Sequence, residues 1–249
     1  MRQFAARLTP QAEAAGLRLM TLAADGLPEL RPGQLILARV PGTFDPYLRR
    51  AYAPLVRGRD LDVALLVPAS DSLLVRDVTT LDLLAPVGNG FTLEANTRRL
   101  LLVGSVAHLA PLIALAHEAT RVQIAVTLLV EHPDAPADLS AFLGSLLPLD
   151  VEYQIAASLA PQWPALLRWC DQVCAAGDPA LYDALRAAIA PSSTPAGFAQ
   201  ALVMPEAACG TGACLGCAVG TVRGAQLACV DGPVFDLRSL YGFNPATSQ

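Results

Sequence analysis

The chain has 249 residues, enough for one large domain or two modest ones. Apolar residues make up 53% of the sequence and charged residues 16%, which excludes a disordered chain, and no apolar run approaches the roughly 20 residues of a membrane-spanning helix. The net charge of -5 argues against a nucleic-acid-binding surface, and the first residues lack the apolar stretch of a secretory signal, so we expect a cytoplasmic protein.

The first segment, residues 1–95, contains short apolar runs separated by turn residues such as Asp25-Gly26 and Pro41-Gly42. Runs of this length and spacing predict the strands of an antiparallel sheet or small β-barrel. The predicted strands cover residues 17–23, 34–40, 61–67 and 81–84.

The second segment, residues 96–195, alternates apolar runs with helical patterns. Strands that alternate with helices predict a doubly wound parallel sheet. The predicted strands cover residues 100–103, 123–130, 151–156 and 172–176. The predicted helices cover residues 110–120, 137–147, 163–169 and 181–189, the last of them preceded by a helix-starting Pro179.

The third segment, residues 196–249, is loop-rich and contains four of the six cysteines. Three of the four lie close together and the fourth is distant, which is the ligand pattern of a plant-type [2Fe–2S] cluster. The predicted ligands are Cys209, Cys214, Cys217 and Cys229.

The residues between these cysteines suit such a cluster. A cluster held by four thiolates is net negative and needs backbone N–H groups directed at its sulfurs, and Gly210, Gly212 and Gly216 permit the tight loop that provides them. Structural zinc is a weaker alternative because it prefers two C-x2-C pairs and the segment has one. Cys170 and Cys174 lie far from the motif and are predicted to be core residues.

At these residues the sequence resembles a known family. The stretches CGTGACLGC, starting at Cys209, and CVDGPVF, starting at Cys229, resemble the electron-transfer subunit of the two-subunit bacterial dihydroorotate dehydrogenase, a member of the ferredoxin-reductase group. The resemblance implies an FAD-binding antiparallel barrel, an NAD-binding-like α/β domain and a C-terminal [2Fe–2S] module, in the order of the three segments. It also implies a hetero-oligomer with a catalytic dehydrogenase subunit, and a place in pyrimidine biosynthesis.

The flavin motif of that family corresponds to residues 50–53 in this chain, Arg-Ala-Tyr-Ala. The resemblance implies that Arg50 holds the FAD pyrophosphate and that Tyr52 stacks on the flavin ring. Ala53 replaces the serine that would hydrogen-bond the flavin. The alternative is an ordinary barrel strand with an exposed arginine.

Two further elements of the family's flavin site have counterparts in this chain, one of them weak and the other close. A Gly-Thr pair that contacts the pyrophosphate is reduced to Ala69-Ser70, whereas the turn APVGNGF at residues 85–91 closely matches the family's turn at the end of the barrel. The resemblance therefore adds these predicted cofactor-binding residues: Ser70, Gly88, Asn89 and Gly90.

The nicotinamide site departs furthest from the family. A glycine-rich loop ending in Ala-Pro is expected after the first strand of the α/β domain, because the dinucleotide approaches the backbone there. In this chain the loop keeps Gly104 and the final Ala-Pro, while Val106 and His108 add side chains. The Cys-Gly-Pro element of the family reads Ala176-Gly177-Asp178. We favour a retained fold with a decayed NAD(H) site over an altered cofactor pose, and we assign His108 no catalytic role.

The sequence thus predicts an electron-transfer flavoprotein subunit that passes electrons between a partner dehydrogenase and an acceptor through FAD and a [2Fe–2S] cluster. The alternative is a non-enzymatic iron–sulfur scaffold or relay that has lost flavin and nicotinamide binding. No catalytic residue is assigned.

Overall fold

The computed structural model describes residues 1–42, 48–57, 62–74, 78–190 and 194–240. These residues form a seven-stranded antiparallel sheet, a six-stranded sheet that is parallel except for one edge strand, and a two-stranded hairpin. The predicted combination of an antiparallel barrel-type domain, a doubly wound α/β domain and a C-terminal module is confirmed. No helix in the described part of the chain is long and apolar enough to cross a membrane.

The antiparallel sheet has the strand order β4-β3-β7-β1-β2-β6-β5. All four predicted strands of this segment are present. The sheet is built from β1 (Arg2–Ala14), β2 (Leu17–Ala23), β3 (Leu35–Arg39), β4 (Arg50–Tyr52), β5 (Leu55–Arg57), β6 (Asp62–Pro68) and β7 (Thr80–Val87).

Strand β1 was not predicted, although it is the longest strand among the residues that the structure describes. Most of its 13 side chains are exposed and only Ala6 and Leu8 are buried, so it lacks the apolar pattern that reveals a strand. It forms because it pairs on both sides, with β2 through a tight turn at Ala15-Gly16 and with β7. Ala15 and Gly16 have positive φ values of 53° and 71°, as that turn requires.

The second sheet has the strand order β10-β9-β8-β11-β12-β15, with helices between the parallel strands. Every predicted strand and helix of the second segment is confirmed to within a few residues. The elements are β8 (Arg99–Ser105), α1 (Leu109–Arg121), β9 (Ala125–Glu131), α2 (Leu139–Leu146), β10 (Glu152–Ala156), α3 (Trp163–Trp169), β11 (Gln172–Ala176) and α4 (Pro179–Ile189).

This sheet continues past residue 195, into the segment that the sequence assigned to the cluster module. Strand β12 (Ala199–Leu202) runs parallel to β11, and β15 (Val234–Asp236) runs antiparallel to β12. Both strands are short and find their partners only in the folded chain. The rest of the described C-terminal segment is loop apart from a 3₁₀ turn and the hairpin of β13 (Ala218–Thr221) and β14 (Gly224–Leu227).

Helix α1 joins the two sheets. Nine of its 13 residues are buried, because β8 and β9 cover one side of the helix while β5 and β6 of the antiparallel sheet lie against another. A helix that is apolar around most of its surface belongs in the interior of a protein. Helix α1 therefore lies between the two sheets. A cleft opens between its first residues and the antiparallel sheet.

Candidate iron–sulfur centre and interdomain cleft

The structure brings the four predicted ligand cysteines together as two pairs. The Sγ atoms of Cys217 and Cys229 are 3.3 Å apart, and the thiols of Cys209 and Cys214 are in hydrogen-bonding contact. A [2Fe–2S] cluster needs two cysteine sulfurs at each of two irons, so two pairs fit its ligand set. Among the residues that the structure describes, no three His, Cys, Asp or Glu side chains converge on one position for a single metal ion.

Backbone N–H groups are directed at these sulfurs. The amides of Thr211 and Cys214 donate to the Cys209 thiol and lower its pKa to about 6. Burial raises the pKa of Cys229 to about 11, and the Gly212 amide opposes that rise by donating to the same sulfur. Because the thiolate is the form that binds iron, these donors stabilise the charge that a bound cluster brings to the loop.

The loop can turn its amides inward because of its backbone conformation. Gly210 and Gly212 have φ values of 70° and 80°, and Leu215 has a φ of 57°. A Cβ atom at Gly210 would lie 2.8 Å from the Met1 sulfur and 3.1 Å from a Leu37 methyl carbon. The glycine is therefore favoured mainly by its positive φ, and a side chain there would also press on Met1 and Leu37.

One side of the candidate centre is exposed. Cys217 and Cys229 are buried, whereas Cys214 is exposed. The neighbouring Leu215 and Val230 are 64% and 55% exposed. The cysteine segment thus combines a buried ligand pair with an accessible edge that carries apolar side chains.

Asn89 fastens this segment to the antiparallel sheet. Its side-chain amide donates to the carbonyl oxygens of Asp231 and Val234, and its carbonyl oxygen accepts from the Val234 N–H at 2.9 Å. Gly88 packs so tightly on the same segment that a Cβ there would lie 2.4 Å from the Gly232 carbonyl oxygen. Gly88 and Asn89 were both predicted to bind a cofactor. In the structure both contact residues 231–234.

A cleft of about 240 Å3 opens between the antiparallel sheet and the start of α1. Its walls are mostly apolar. Of the predicted cofactor-binding residues, Tyr52 and Ala53 line it. The remaining lining is Ala51, Leu65, Leu66, Val67, Pro68, Asp71, Ala107, His108, Ala110, Pro111, Leu202 and Met204.

One polar group in the cleft is a carboxylate. Asp71 accepts hydrogen bonds from the backbone N–H groups of Leu73 and Leu74, both at 2.9 Å, and from the hydroxyl of Tyr52 at 3.2 Å. Burial and the neighbouring Asp71 raise the pKa of Tyr52, so the hydroxyl stays protonated. The apolar walls fit the ring of a flavin, and at the Tyr52 hydroxyl the Asp71 carboxylate and the Arg50 guanidinium are both close by.

The loop before α1 also faces the cleft. His108 lies 2.9 Å from the Ser105 hydroxyl through its Nδ1, and burial lowers its pKa although Asp178 opposes the shift. Gly104 lies outside the cleft lining, and a Cβ there would lie 2.7 Å from the Ala176 carbonyl oxygen and 2.5 Å from a Leu112 carbon. The glycine that this loop keeps is needed for packing.

The remaining predicted residues lie elsewhere in the described structure. Arg50 is near enough to the Tyr52 hydroxyl to influence its pKa, although neither Arg50 nor Ser70 lines the cleft. Gly90 packs against the Pro32 carbonyl oxygen, which a Cβ would approach to 2.7 Å. Cys170 and Cys174 are buried in the core, as predicted.

Sequence reasoning missed Asp71 and Met204 as residues of the cleft and gave His108 no role. A signal for Asp71 was available, because a Ser-Asp-Ser run before two leucines is typical of a side chain that caps backbone amides. That signal does not show that the cap also faces a cleft.

Comparison with known proteins agrees with the cysteine geometry. Residues 206–241 match the family model of the iron–sulfur cluster binding domain of dihydroorotate dehydrogenase B. The matched range contains all four cysteines of the two pairs, and the resemblance identified from their spacing is confirmed. No curated protein matches the chain.

Solved structures agree with the fold over most of the chain. An NADH-dependent reduced ferredoxin-NADP oxidoreductase has a TM-score of 0.73 at 18% identity, and the alignment covers 95% of this chain and 89% of that one. A ferredoxin reductase of carbazole 1,9a-dioxygenase, in its FAD apo form, has a TM-score of 0.64 at 20% identity, covering 80% and 66%. Phthalate dioxygenase reductase has a TM-score of 0.60 at 16% identity, covering 80% and 68%. These likenesses show a ferredoxin-reductase-like fold.

Proposed function

We propose that this chain, whose residues 206–241 match the family model of the iron–sulfur cluster binding domain of dihydroorotate dehydrogenase B, is an electron-transfer subunit that passes electrons between a partner dehydrogenase and an acceptor through FAD and a [2Fe–2S] cluster. The observation that carries this proposal is the two pairs of thiols with backbone amides directed at their sulfurs. A bound [2Fe–2S] cluster supplies one-electron transfer. The chain would hold it through Cys209, Cys214, Cys217 and Cys229.

The chain's own groups set the environment of that cluster. The amides of Thr211, Gly212 and Cys214 offset its negative charge, which favours the more reduced, more negative state. The exposed Cys214, with Leu215 beside it, offers an edge through which electrons can leave the protein. We assign this edge to a catalytic dehydrogenase subunit resembling dihydroorotate dehydrogenase, in a hetero-oligomer.

Nicotinamide chemistry is not part of the proposal. The loop from Gly104 to Pro111 has lost its other glycines, and Val106 and His108 occupy positions where a dinucleotide would need open backbone. Ser105, which could bind a phosphate, is hydrogen-bonded to His108. These contacts favour a decayed NAD(H) site in a retained fold.

The alternative of a relay without FAD is favoured by a separate observation, the Asp71 carboxylate in the cleft. In the first candidate, FAD would lie in the cleft with its ring on the apolar wall at Tyr52, and in this alternative the chain would bind no flavin.

The test is reconstitution of the protein with iron and sulfide under anaerobic conditions. The wild type should bind about two irons and two acid-labile sulfides per chain and give a [2Fe–2S] EPR signal after dithionite reduction. Cys214→Ser removes one ligand of the exposed pair, so the variant should lose the cluster or show an altered signal.

The matched control is Cys170→Ala, which removes a buried cysteine outside the cluster segment and should leave the cluster intact. An unaltered, full-intensity signal from Cys214→Ser would contradict the ligand assignment.

A further inference from the structure

We propose that the Asp231 carboxylate, which closes the turn that carries Cys229, also lowers the reduction potential of the cluster held by the four cysteines. This inference deepens the proposed function and rests on it, because it requires a cluster at that site. Asp231 is a positioning residue and not a ligand. Its charge makes the reduced cluster a stronger electron donor, since net charge is one of the properties that set the potential of an iron–sulfur cluster.

The first step is the turn around Cys229. The Asp231 N–H donates to the Leu227 carbonyl oxygen at 2.7 Å, and the Leu227 N–H donates to the Asp231 carboxylate, also at 2.7 Å. The same two residues are thus bonded to each other twice, with Cys229 midway between them. A carboxylate that accepts from a backbone N–H of its own turn stabilises that turn locally. Asp231 therefore fixes the backbone that presents this ligand.

The second step is how the turn is fastened to its surroundings. The Asn89 side-chain amide donates to the Asp231 carbonyl oxygen at 3.2 Å, which ties the end of the turn to the antiparallel sheet. The Ala228 N–H donates to the Cys217 carbonyl oxygen at 3.0 Å, which ties its start to the other buried ligand. The Asp231 carboxylate is therefore held at a defined place, two residues from Cys229.

The third step is the effect of this charge on an added electron. A cluster held by four thiolates is net negative, and its reduction adds one more negative charge. A nearby carboxylate repels that charge, so the oxidised state is favoured and the reduction potential is lower. The backbone amides of Thr211, Gly212 and Cys214 act in the opposite direction, because their N–H groups point at the sulfurs.

The fourth step separates Asp231 from its charged neighbours. Glu206 and Arg223 belong to the same segment and are exposed, and among the described residues neither side chain is hydrogen-bonded to the cysteine loop. The Asp231 carboxylate is bonded to the turn itself. It is exposed, as is Val230 beside it, so dissolved salt reaches the carboxylate and screens its charge. Screening by salt therefore distinguishes an effect of this charge from an effect on the shape of the loop.

The experiment measures the midpoint potential of the reconstituted full chain by anaerobic titration with dithionite and redox mediators, followed by visible absorption. Asp231→Asn removes the charge and keeps a side-chain oxygen for the Leu227 N–H. At about 0.01 M salt, the ratio of reduced to oxidised cluster at a fixed potential should increase about threefold or more, because the repulsion is lost. At 59 mV per tenfold for one electron, threefold is an upward shift of about 30 mV. The shift should largely disappear at about 1 M salt, where the Debye length is about 3 Å.

A second variant, Asp231→Ser, also removes the charge and keeps an oxygen that can cap the turn, so its potential should shift in the same direction. The matched control is Asp236→Asn, at the last residue of β15. The Asp236 carboxylate also accepts from backbone N–H groups, those of Gly197 and Arg238, at 3.0 and 2.9 Å. Its replacement makes the same change in net charge away from the turn around Cys229 and should shift the potential by less than half as much.

A wild-type midpoint potential in both Asp231 variants at low salt would overturn the inference. So would a shift that stays the same in concentrated salt, because a change in loop geometry is not screened, or an equal shift in Asp236→Asn. These three results would leave the proposed function standing, because iron and sulfide content is measured separately on each protein. If the wild type itself binds no iron and sulfide, the proposed function fails and the inference fails with it.

Discussion

At the scale of single residues, His108 shows how the loop before α1 differs from a dinucleotide-binding loop. Its imidazole is half-buried at the edge of the cleft, and its Nδ1 is 2.9 Å from the Ser105 hydroxyl. Burial lowers its pKa, and the effect of Asp178 in the opposite direction is smaller. The folded protein therefore holds this histidine neutral more strongly than the unfolded chain does.

Because the pKa of His108 is lower in the folded protein than in the unfolded chain, the free energy of unfolding should depend on pH. The folded-state pKa of His108 lies below the unfolded value of about 6.5, so the unfolded chain binds more protons as the pH falls through that value. The free energy of unfolding contributed by His108 is thus fully present above about pH 6.5 and decreases in more acidic solution. Urea unfolding at pH 7.5 and pH 5.5 should show a smaller acid-induced loss for His108→Asn than for the wild type.

The matched control is His132→Asn, which replaces a histidine outside the cleft lining. This variant should still show the acid-induced decrease in the free energy of unfolding that His108 causes. An identical pH dependence in His108→Asn and the wild type would rule out the interpretation.

At the scale of elements, the cysteine loop depends on the antiparallel sheet beneath it. Gly210 has a φ of 70° and packs against Met1 of the chain start and Leu37 of β3. The loop that directs amides at the sulfurs is therefore shaped partly by a sheet whose strands lie far earlier in the chain. The geometry of the cluster site therefore depends on how the loop packs on the antiparallel sheet.

Gly210→Ala should consequently weaken the cluster site. An alanine at positive φ costs about 1–2 kcal/mol, and its Cβ would add a contact of 2.8 Å with the Met1 sulfur. We expect lower iron content after reconstitution and faster loss of iron to a chelator, followed by visible absorption. Gly220→Ala is the control, because a Cβ there meets no atom within 4 Å. Equal rates of iron loss in the two variants would contradict this role of Gly210.

At the scale of the whole molecule, the C-terminal segment ties the two sheets together. Strand β15 extends the parallel sheet at β12, while its first residue and the turn just before it are held by Asn89 at the end of the antiparallel sheet. Helix α1 lies between the same two sheets. The cysteine segment is thus fastened to both parts of the protein.

Asn89→Ala should loosen this connection. The substitution removes three hydrogen bonds to Asp231 and Val234 and leaves the partly buried backbone groups of Val234 without those partners, which should lower the free energy of unfolding by about 2–4 kcal/mol. The urea midpoint and the rate of cluster loss are the measurements. Asn96→Ala, at an exposed position, should leave both unchanged. A wild-type midpoint for Asn89→Ala would show that the contacts are dispensable.

Much of the fold could be predicted because its signals are local. In the α/β segment, apolar runs typical of strands alternate with the apolar spacing typical of helices. Each such stretch corresponds to an observed strand or helix. The strands that the pattern did not predict are β1, β5 and β12 to β15. The first is largely exposed and the others are three or four residues long, so pairing with neighbours, and not side-chain pattern, makes each of them a strand.

The candidate site was likewise predictable only where its signals are local. The four cysteines are recognisable because the ligand spacing of a cluster is a short-range property of the chain, and the glycines between them have the conformations that the loop needs. The cofactor residues transferred by resemblance could not be checked in this way. Of these, Asn89 is used for packing, and Asp71 beside the predicted Ser70 is the residue that reaches the cleft.

The sequence by itself therefore determined the order of the three parts, most of their secondary structure and the cysteine spacing that predicts the four ligands, because each depends on residues that are near one another in the chain. Tertiary structure alone decided the character of the cleft. Tyr52 and Asp71 are 19 positions apart, and Asn89 and Val234 are 145 apart. Such contacts form only where packed sheets bring distant side chains within hydrogen-bonding distance, and no local pattern records which groups will meet there.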